Sequence, residues 1–210
     1  MTATDWYRAG WEHFTVNIKL LLGGFLLFAI LSGSLWIVDA MLHINGPLAA
    51  IIRIVVAPAA TVGWTLLCLR SVRGEQVTAV AVFDGFRWLL NALLASVIMA
   101  IAVSVGMVLF VIPGVLAALA FCMWPFGVSE RNLPPIEALR YSHQITRDHW
   151  SRLFVAGVMA IPLIIAGVIT LGLGMLVIGP WLGATYAIAY EDITSGQSTL
   201  DDSADYEIVD

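Results

Sequence analysis

Four histidines, fifteen Asp and Glu residues and two cysteines carry most of the chemistry open to this 210-residue chain. Metal catalysis needs ligands that converge, as HExxH spacing does on one helix face. His13, His43, His143 and His149 show no such spacing. His143 and His149, with Asp148 beside the second, come nearest, but six residues apart on a helix they point to different faces. Cys68 and Cys122 stand singly in apolar surroundings, with no CxxC, and read as small buried hydrophobes. There is no P-loop and no Rossmann glycine pattern. These residues lead us to expect no catalytic residue, no metal ligand and no cofactor.

What the histidines do mark is where the chain surfaces. His143 and His149 lie in "SERNLPPIEALRYSHQITRDHW", Ser129–Trp150, a polar island between long apolar stretches. The whole chain is 60% hydrophobic and only 12% charged, with a mean hydropathy of +0.91. A soluble domain is roughly half apolar and a quarter charged. The basic residues divide the apolar sequence into three blocks, Leu20–Leu69, Trp88–Val128 and Leu153–Tyr190, each 38 to 50 residues long. As single helices these would run roughly 57–75 Å, about twice the hydrocarbon thickness of a bilayer. Each block therefore predicts a hairpin of two helices.

Turn signals lie near the middle of each block: "HINGP" around Asn45, "IPG" at Pro113, and "TLGLG" around Leu171. None contains Lys or Arg, and nine of the ten basic residues fall on the other side, the exception being Arg53. By the positive-inside rule that other side is cytoplasmic. The expected fold is all-α: a polytopic membrane protein with six transmembrane helices in three hairpins and both termini cytoplasmic. The spans are Ile18–Leu42, Leu48–Leu69, Trp88–Phe110, Pro113–Val128, Leu153–Thr170 and Gly174–Tyr190. The first lacks a small-residue cleavage site and is expected to stay as a span rather than be removed as a signal peptide. Trp6, Trp11, Trp64, Trp88, Trp124 and Trp150 would lie at the inner headgroup level, Trp36 and Trp181 toward the outer one.

A similar segment precedes each hairpin: "DWYRAGWEHFTVN", "VTAVAVFDGFRW" and "PPIEALRYSHQITRDHW". Tyr7, Trp11, Phe14 and Ile18 share one helical face in the first; Ile136, Leu139, His143 and Thr146 give a weaker stripe in the third. Thr78 is the candidate N-cap of the second, and Pro134 and Pro135 suit a helix start in the third. Each is expected to be a short interfacial amphipathic helix. The partners so implied are the bilayer itself and the anionic headgroups of its cytoplasmic face, met by Arg140 and Arg147 of the third segment. The pattern of surface helix, span, turn, span thus occurs three times, and either internal repetition or shared membrane constraints account for it.

Residues 1–192 are expected to form one membrane domain. Residues 193–210 are expected to be a disordered cytoplasmic tail, for Glu191–Asp210 holds seven acidic residues and no basic ones. Without that stretch the charge of −5 becomes eight acids against ten bases, or +2. A protein partner would engage the surface helices or this tail; no nucleic-acid partner is expected.

Inside the spans, Gly179, Gly183 and Ala187 form a small-residue ridge, as do Ala59 with Gly63, and Gly114 with Ala118 and Cys122. Such ridges let helices pack closely. Asp39 and Arg53 lie at nearly equal distances from the first turn, at one depth of an antiparallel hairpin, and are expected to pair within the membrane. Transport would need polar groups at mid-membrane; Ser32, Ser34, Thr61, Asn91, Ser96 and Ser104 are small and neutral. Pro58, Pro125 and Pro162 suit either broken transporter helices or tolerated kinks.

"RGEQVTAVAVFDGFRW", "IPGVLAALAFCMWPFGVSE", "PPIEALRYSHQITRDHWSRLF" and "GPWLGATYAIAYEDI" resemble a set of bacterial integral membrane proteins of unknown function. That set includes the membrane domain of some glycerophosphodiester phosphodiesterases. The resemblance covers Trp11–Ile193 and rests on motif order: Ile112–Pro113–Gly114, then Pro135, Glu137, Ala138, Leu139, Arg140 and Ser142, then Trp150 and Phe154, then Pro180 and Tyr190–Glu191–Asp192. It implies a six-helix bundle of the bacterial cytoplasmic (inner) membrane and no agreed activity, because catalysis in the phosphodiesterase members resides in a separate soluble domain. The expected role is a non-enzymatic membrane scaffold or accessory protein; the alternative is a transporter or channel for a small or lipid-like solute.

Overall fold

The computed structural model describes the backbone of residues 1–42, 47–170 and 172–206, and the side chains of 1–33, 54–110, 113–170 and 172–195. Asn45 and Leu171, expected at turn tips, lie outside the described residues, as do the side chains of Asp39 and Arg53.

Among the described residues every regular element is helical. Helix α1 (Ala3–Val16) bends by 98° into α2 (Ile18–Leu42), and α3 (Pro47–Val72) follows. A 3-10 helix, Ala79–Trp88, leads into α4 (Leu89–Leu109), then α5 (Val111–Ala120) and α6 (Trp124–Ser129). Helix α7 (Pro135–Thr146) continues through a short 3-10 turn into α8 (Trp150–Ile169), and α9 (Met175–Tyr206) ends the described chain. Ile54–Val72, Ala79–Leu109 and Pro135–Ile169 are long and apolar enough to cross a membrane; α1 with Ile18–Gly33 makes a fourth if the bent pair is one span. The outward faces of α4 and α8, with Leu90, Ile101 and Val105 on one and Ile161, Ile165 and Val168 on the other, are exposed. Apolar surface this extensive suits lipid rather than water.

Two helix boundaries depart from the sequence expectation. The second turn falls at Phe110, whose extended backbone (φ −164°, ψ 150°) separates α4 from α5. Pro113 sits instead in the first turn of α5, where a missing N–H leaves no bond unmade. The helix expected over Pro113–Val128 is split, with α5 ending at Ala120 and α6 starting at Trp124. Pro125 explains the split: it has no N–H for the Phe121 carbonyl, and its ring would clash with that group in a continuous helix.

The three segments expected to be interfacial are helical, and each buries part of its apolar surface against protein while leaving other apolar residues exposed, among them Trp11, Val80, Phe83 and Ile136. In α1 the buried residues are Ala3, Trp6, Tyr7, Gly10 and Phe14, while Trp11 and Ile18 of the expected stripe stay exposed. This face lies along α9: a Cβ on Gly10 would fall 2.2 Å from Thr185 Oγ1. Trp181, expected near the opposite membrane face, packs edge-on against Trp11 (5.1 Å) and donates to the Tyr7 carbonyl (3.0 Å). The second segment is a 3-10 helix, and Thr78 makes no side-chain cap to it. Its Val82 and Gly85 press on α3, where a Cβ on Gly63 would fall 1.8 Å from the Val82 carbonyl oxygen and one on Gly85 2.1 Å from that of Ala59. Only glycine permits backbones this close.

Candidate functional site

The largest buried side chains, among them Trp6, Leu67, Met123, Phe126, Ile145 and Tyr190, belong to one core cluster or pack on it. Beside it lies a polar cluster that joins four elements. Arg73, just past α3, donates from Nε to Glu191 Oε1 of α9 (2.6 Å) and from its other arm to Glu130, just past α6. Tyr190 of α9 also donates to Glu130. The Tyr141 hydroxyl of α7 meets that of Tyr190 at 2.9 Å, and the Arg131 guanidinium lies 4.5 Å from the centre of the Tyr141 ring. The Tyr190 ring stacks on Phe126, with centroids 4.0 Å apart and planes 8° from parallel.

In this cluster the strong donors reach acceptors. Burial opposes the charge on Arg73, but its hydrogen bonds to Glu130 and Glu191 outweigh that and raise its pKa above the ordinary value. Glu130 accepts from both an arginine and a tyrosine and so holds helix ends together.

Helix α7 contributes a second set of bonds. Its buried residues are Ala138, Leu139, Ser142, Ile145 and Thr146. The Ser142 hydroxyl donates to the Ala120 carbonyl (2.9 Å) and accepts from the Met123 N–H (3.0 Å); Thr146 also reaches Ala120 (3.2 Å). These hydroxyls satisfy the backbone groups that the α5–α6 break sets free, and so the sequence's polar island closes a broken helix. Of the expected stripe, Leu139 and Thr146 face inward, whereas Ile136 and His143 are exposed.

A third cluster anchors α1 and α8 to α9. Trp6 Nε1 donates to Asp192 Oδ2 (2.9 Å), and Arg152 Nη1 lies 3.7 Å from the same carboxylate. Asp84 of the second segment pairs with Arg70 of α3 at 3.2 Å. His13 Nε2 of α1 lies 2.9 Å from Ser71 Oγ of α3, and burial pushes the His13 pKa down.

The other residues singled out in the sequence are placed as follows. A Cβ on Gly179 would meet the Phe25 ring and one on Gly183 the Trp64 ring, while Ala187 is fully buried. Cys68 and Cys122 are free thiols, the first buried. His143 lies beside Trp150 (6.3 Å between rings). Among the described residues no three His, Cys, Asp or Glu side chains gather as a metal would require. Thr61 and Ser96 bond back to their own helices, at Ala57 and Leu93; the Ser32 hydroxyl is buried with no partner among the described residues. Arg140 is exposed, and Arg147 pairs with its neighbour Asp148 at 3.6 Å, both well exposed. Sequence reasoning missed the Arg73–Glu130–Tyr190 cluster. Its members are scattered along the chain, and the one local signal was that each directly follows or ends an apolar run.

No family model, no curated protein and no solved structure matches this chain.

Proposed function

We propose that this chain is a non-enzymatic scaffold or accessory protein of the bacterial cytoplasmic membrane. It crosses the bilayer six times in three hairpins, with both termini and the polar clusters on the cytoplasmic side. The observation that carries this reading is the Arg73–Glu130–Tyr190 cluster. It lies at the basic end of the helices, bonds α3, α6, α7 and α9 together, and spends its donors on internal acceptors. A catalytic or conducting centre would instead direct such groups toward a substrate or a water path. Fixed ends of this kind hold Arg140 and Arg147 toward anionic headgroups and leave the acidic C-terminal segment to meet a protein partner. The alternative, transport of a small or lipid-like solute, draws on the broken α5–α6 helix; but hydroxyls of α7 occupy the freed backbone groups there, which favours a closed bundle.

The test is purification from native membranes in mild detergent, together with reconstitution into liposomes. The scaffold reading expects a protein co-purifying in fixed ratio and lost on removal of Ser195–Asp210 or on substitution across α7, with no flux across the liposome wall. A chain that purifies alone and supports solute or ion flux would establish the transport reading instead.

A further inference from the structure

The face of α7 that does not enter the bundle borders a groove against α4. Two adjoining cavities, of about 360 and 460 Å³, share Ile98, Ile136 and Arg140. Leu94 and Ile98 of α4 and Phe121 at the helix break form its apolar wall. Glu137 and Arg140 stand at its polar edge. These two side chains are one helical turn apart, a spacing at which opposite charges commonly pair. Here both are exposed, and neither makes an ion pair or a side-chain hydrogen bond among the described residues. The groove therefore offers a cation and an anion, neither paired among the described residues, one helical turn apart at the edge of an apolar trough on a helix long and apolar enough to cross a membrane.

From this juxtaposition we infer a binding site for an aminophospholipid of the ethanolamine class. Its phosphate takes the Arg140 guanidinium, which presents paired donors to such an oxyanion. Its ammonium group, joined to the phosphate by a short ethyl link, takes the Glu137 carboxylate. One acyl chain lies along Leu94, Ile98 and Phe121. A choline headgroup lacks N–H donors for Glu137, and a glycerol headgroup lacks the positive charge. The site rests on the membrane reading above and refines the role of Arg140 within it.

The experiment uses the full chain, delipidated in detergent, with dioleoyl phosphatidylethanolamine, phosphatidylglycerol and phosphatidylcholine added in turn, and counts bound lipid by native mass spectrometry. Wild type should hold phosphatidylethanolamine about fivefold more tightly than either other lipid, the weight of one charged contact at a headgroup. Arg140→Gln should lose about that factor for phosphatidylethanolamine and phosphatidylglycerol alike. Glu137→Gln should erase the preference for phosphatidylethanolamine over both other lipids while leaving the Arg140-dependent binding of all three. Ile98→Trp, which fills the trough, should weaken all three lipids, and Glu12→Gln, exposed on α1 and outside the groove, should change none. Equal retention of the three lipids by wild type would overturn the proposal, as would unchanged phosphatidylethanolamine binding in Arg140→Gln or full competition by inorganic phosphate. If Arg140→Gln does not fold, the wild-type order of the three lipids decides. Failure of lipid binding by a chain still recovered from membranes sinks this site alone; recovery of the chain as a soluble protein sinks the membrane reading.

Discussion

Arg73 and Glu191 lie 118 residues apart in sequence and 2.6 Å apart in the structure, and their bond ties the end of α3 to the middle of α9. Because Glu130 reaches the same guanidinium, removing Arg73 would leave two carboxylates close together without their cation. Arg73→Gln should cost about 1–2 kcal/mol, above a typical surface pair because the cluster is half-buried and shared. Thermal unfolding in detergent of Arg73→Gln, Glu191→Gln and the double variant measures it. Strictly additive losses would show that the two residues do not cooperate.

Gly63 and Gly157 give opposite expectations for the same substitution. A Cβ on Gly63 would overlap the Val82 carbonyl, so Gly63→Ala must push the 3-10 helix off α3 and should cost about 1–3 kcal/mol. A Cβ on Gly157 meets nothing within 4 Å. Gly157→Ala should be neutral, or stabilising by up to about 1 kcal/mol through helix propensity. Melting temperatures that fell equally in both would show that the tight contact at Gly63 is not formed.

Ser142 supplies a donor to Ala120 and an acceptor to Met123 at the α5–α6 break. Ser142→Ala strands the buried Met123 N–H and leaves Ala120 only its longer bond from Thr146, and should cost about 1–3 kcal/mol. Thr146→Val should cost less, since Ser142 still bonds Ala120. Protease sensitivity around Phe121–Met123, read by mass spectrometry of the fragments, should rise in Ser142→Ala; an unchanged cleavage pattern and melting temperature would remove α7 from this role.

His13 ties α1 to α3 through Ser71, and burial holds its pKa below the ordinary 6.5. The unfolded chain therefore binds a proton more readily than the folded one. The contribution of neutral His13 is complete above about pH 6.5 and is lost as pH falls toward the folded-state value. Stability of wild type relative to His13→Gln should accordingly decline between pH 7.5 and 5.5. A difference between the two that is constant over that range would contradict a buried neutral His13.

Much of the helix pattern was legible because long apolar runs and their breakers are local signals. α2 begins at Ile18 and ends at Leu42, as the first run predicts, and α4 and α8 fall within three residues of their expected bounds. What periodicity could not say was which partner an amphipathic face would choose. The faces of α1 and α7 have the composition of interfacial helices, yet Gly10 meets Thr185 and Ser142 meets Ala120. Lipid and a neighbouring helix are equally apolar, so the stripe alone does not separate them; the small residues Gly10, Gly63 and Gly85 do, because lipid makes no demand for the close approach they allow. The polar cluster escaped for another reason. Arg73, Glu130, Tyr190 and Tyr141 converge only once the bundle has assembled, and no spacing in the chain encodes their meeting.

The central claim, six spans with both ends and the polar clusters on the cytoplasmic side, is tested most directly by cysteine accessibility. In a background carrying Cys68→Ala and Cys122→Ala, single cysteines are placed by Asn45→Cys, Phe110→Cys, Leu173→Cys, Gln144→Cys and Gln197→Cys. A membrane-impermeant maleimide is then applied to intact cells and to opened membranes. The account predicts labelling of the first three sites in intact cells, and of Gln144→Cys and Gln197→Cys only after opening. Labelling of Gln197→Cys but not Asn45→Cys in intact cells, or Phe110→Cys and Gln144→Cys reacting from the same side, would contradict it.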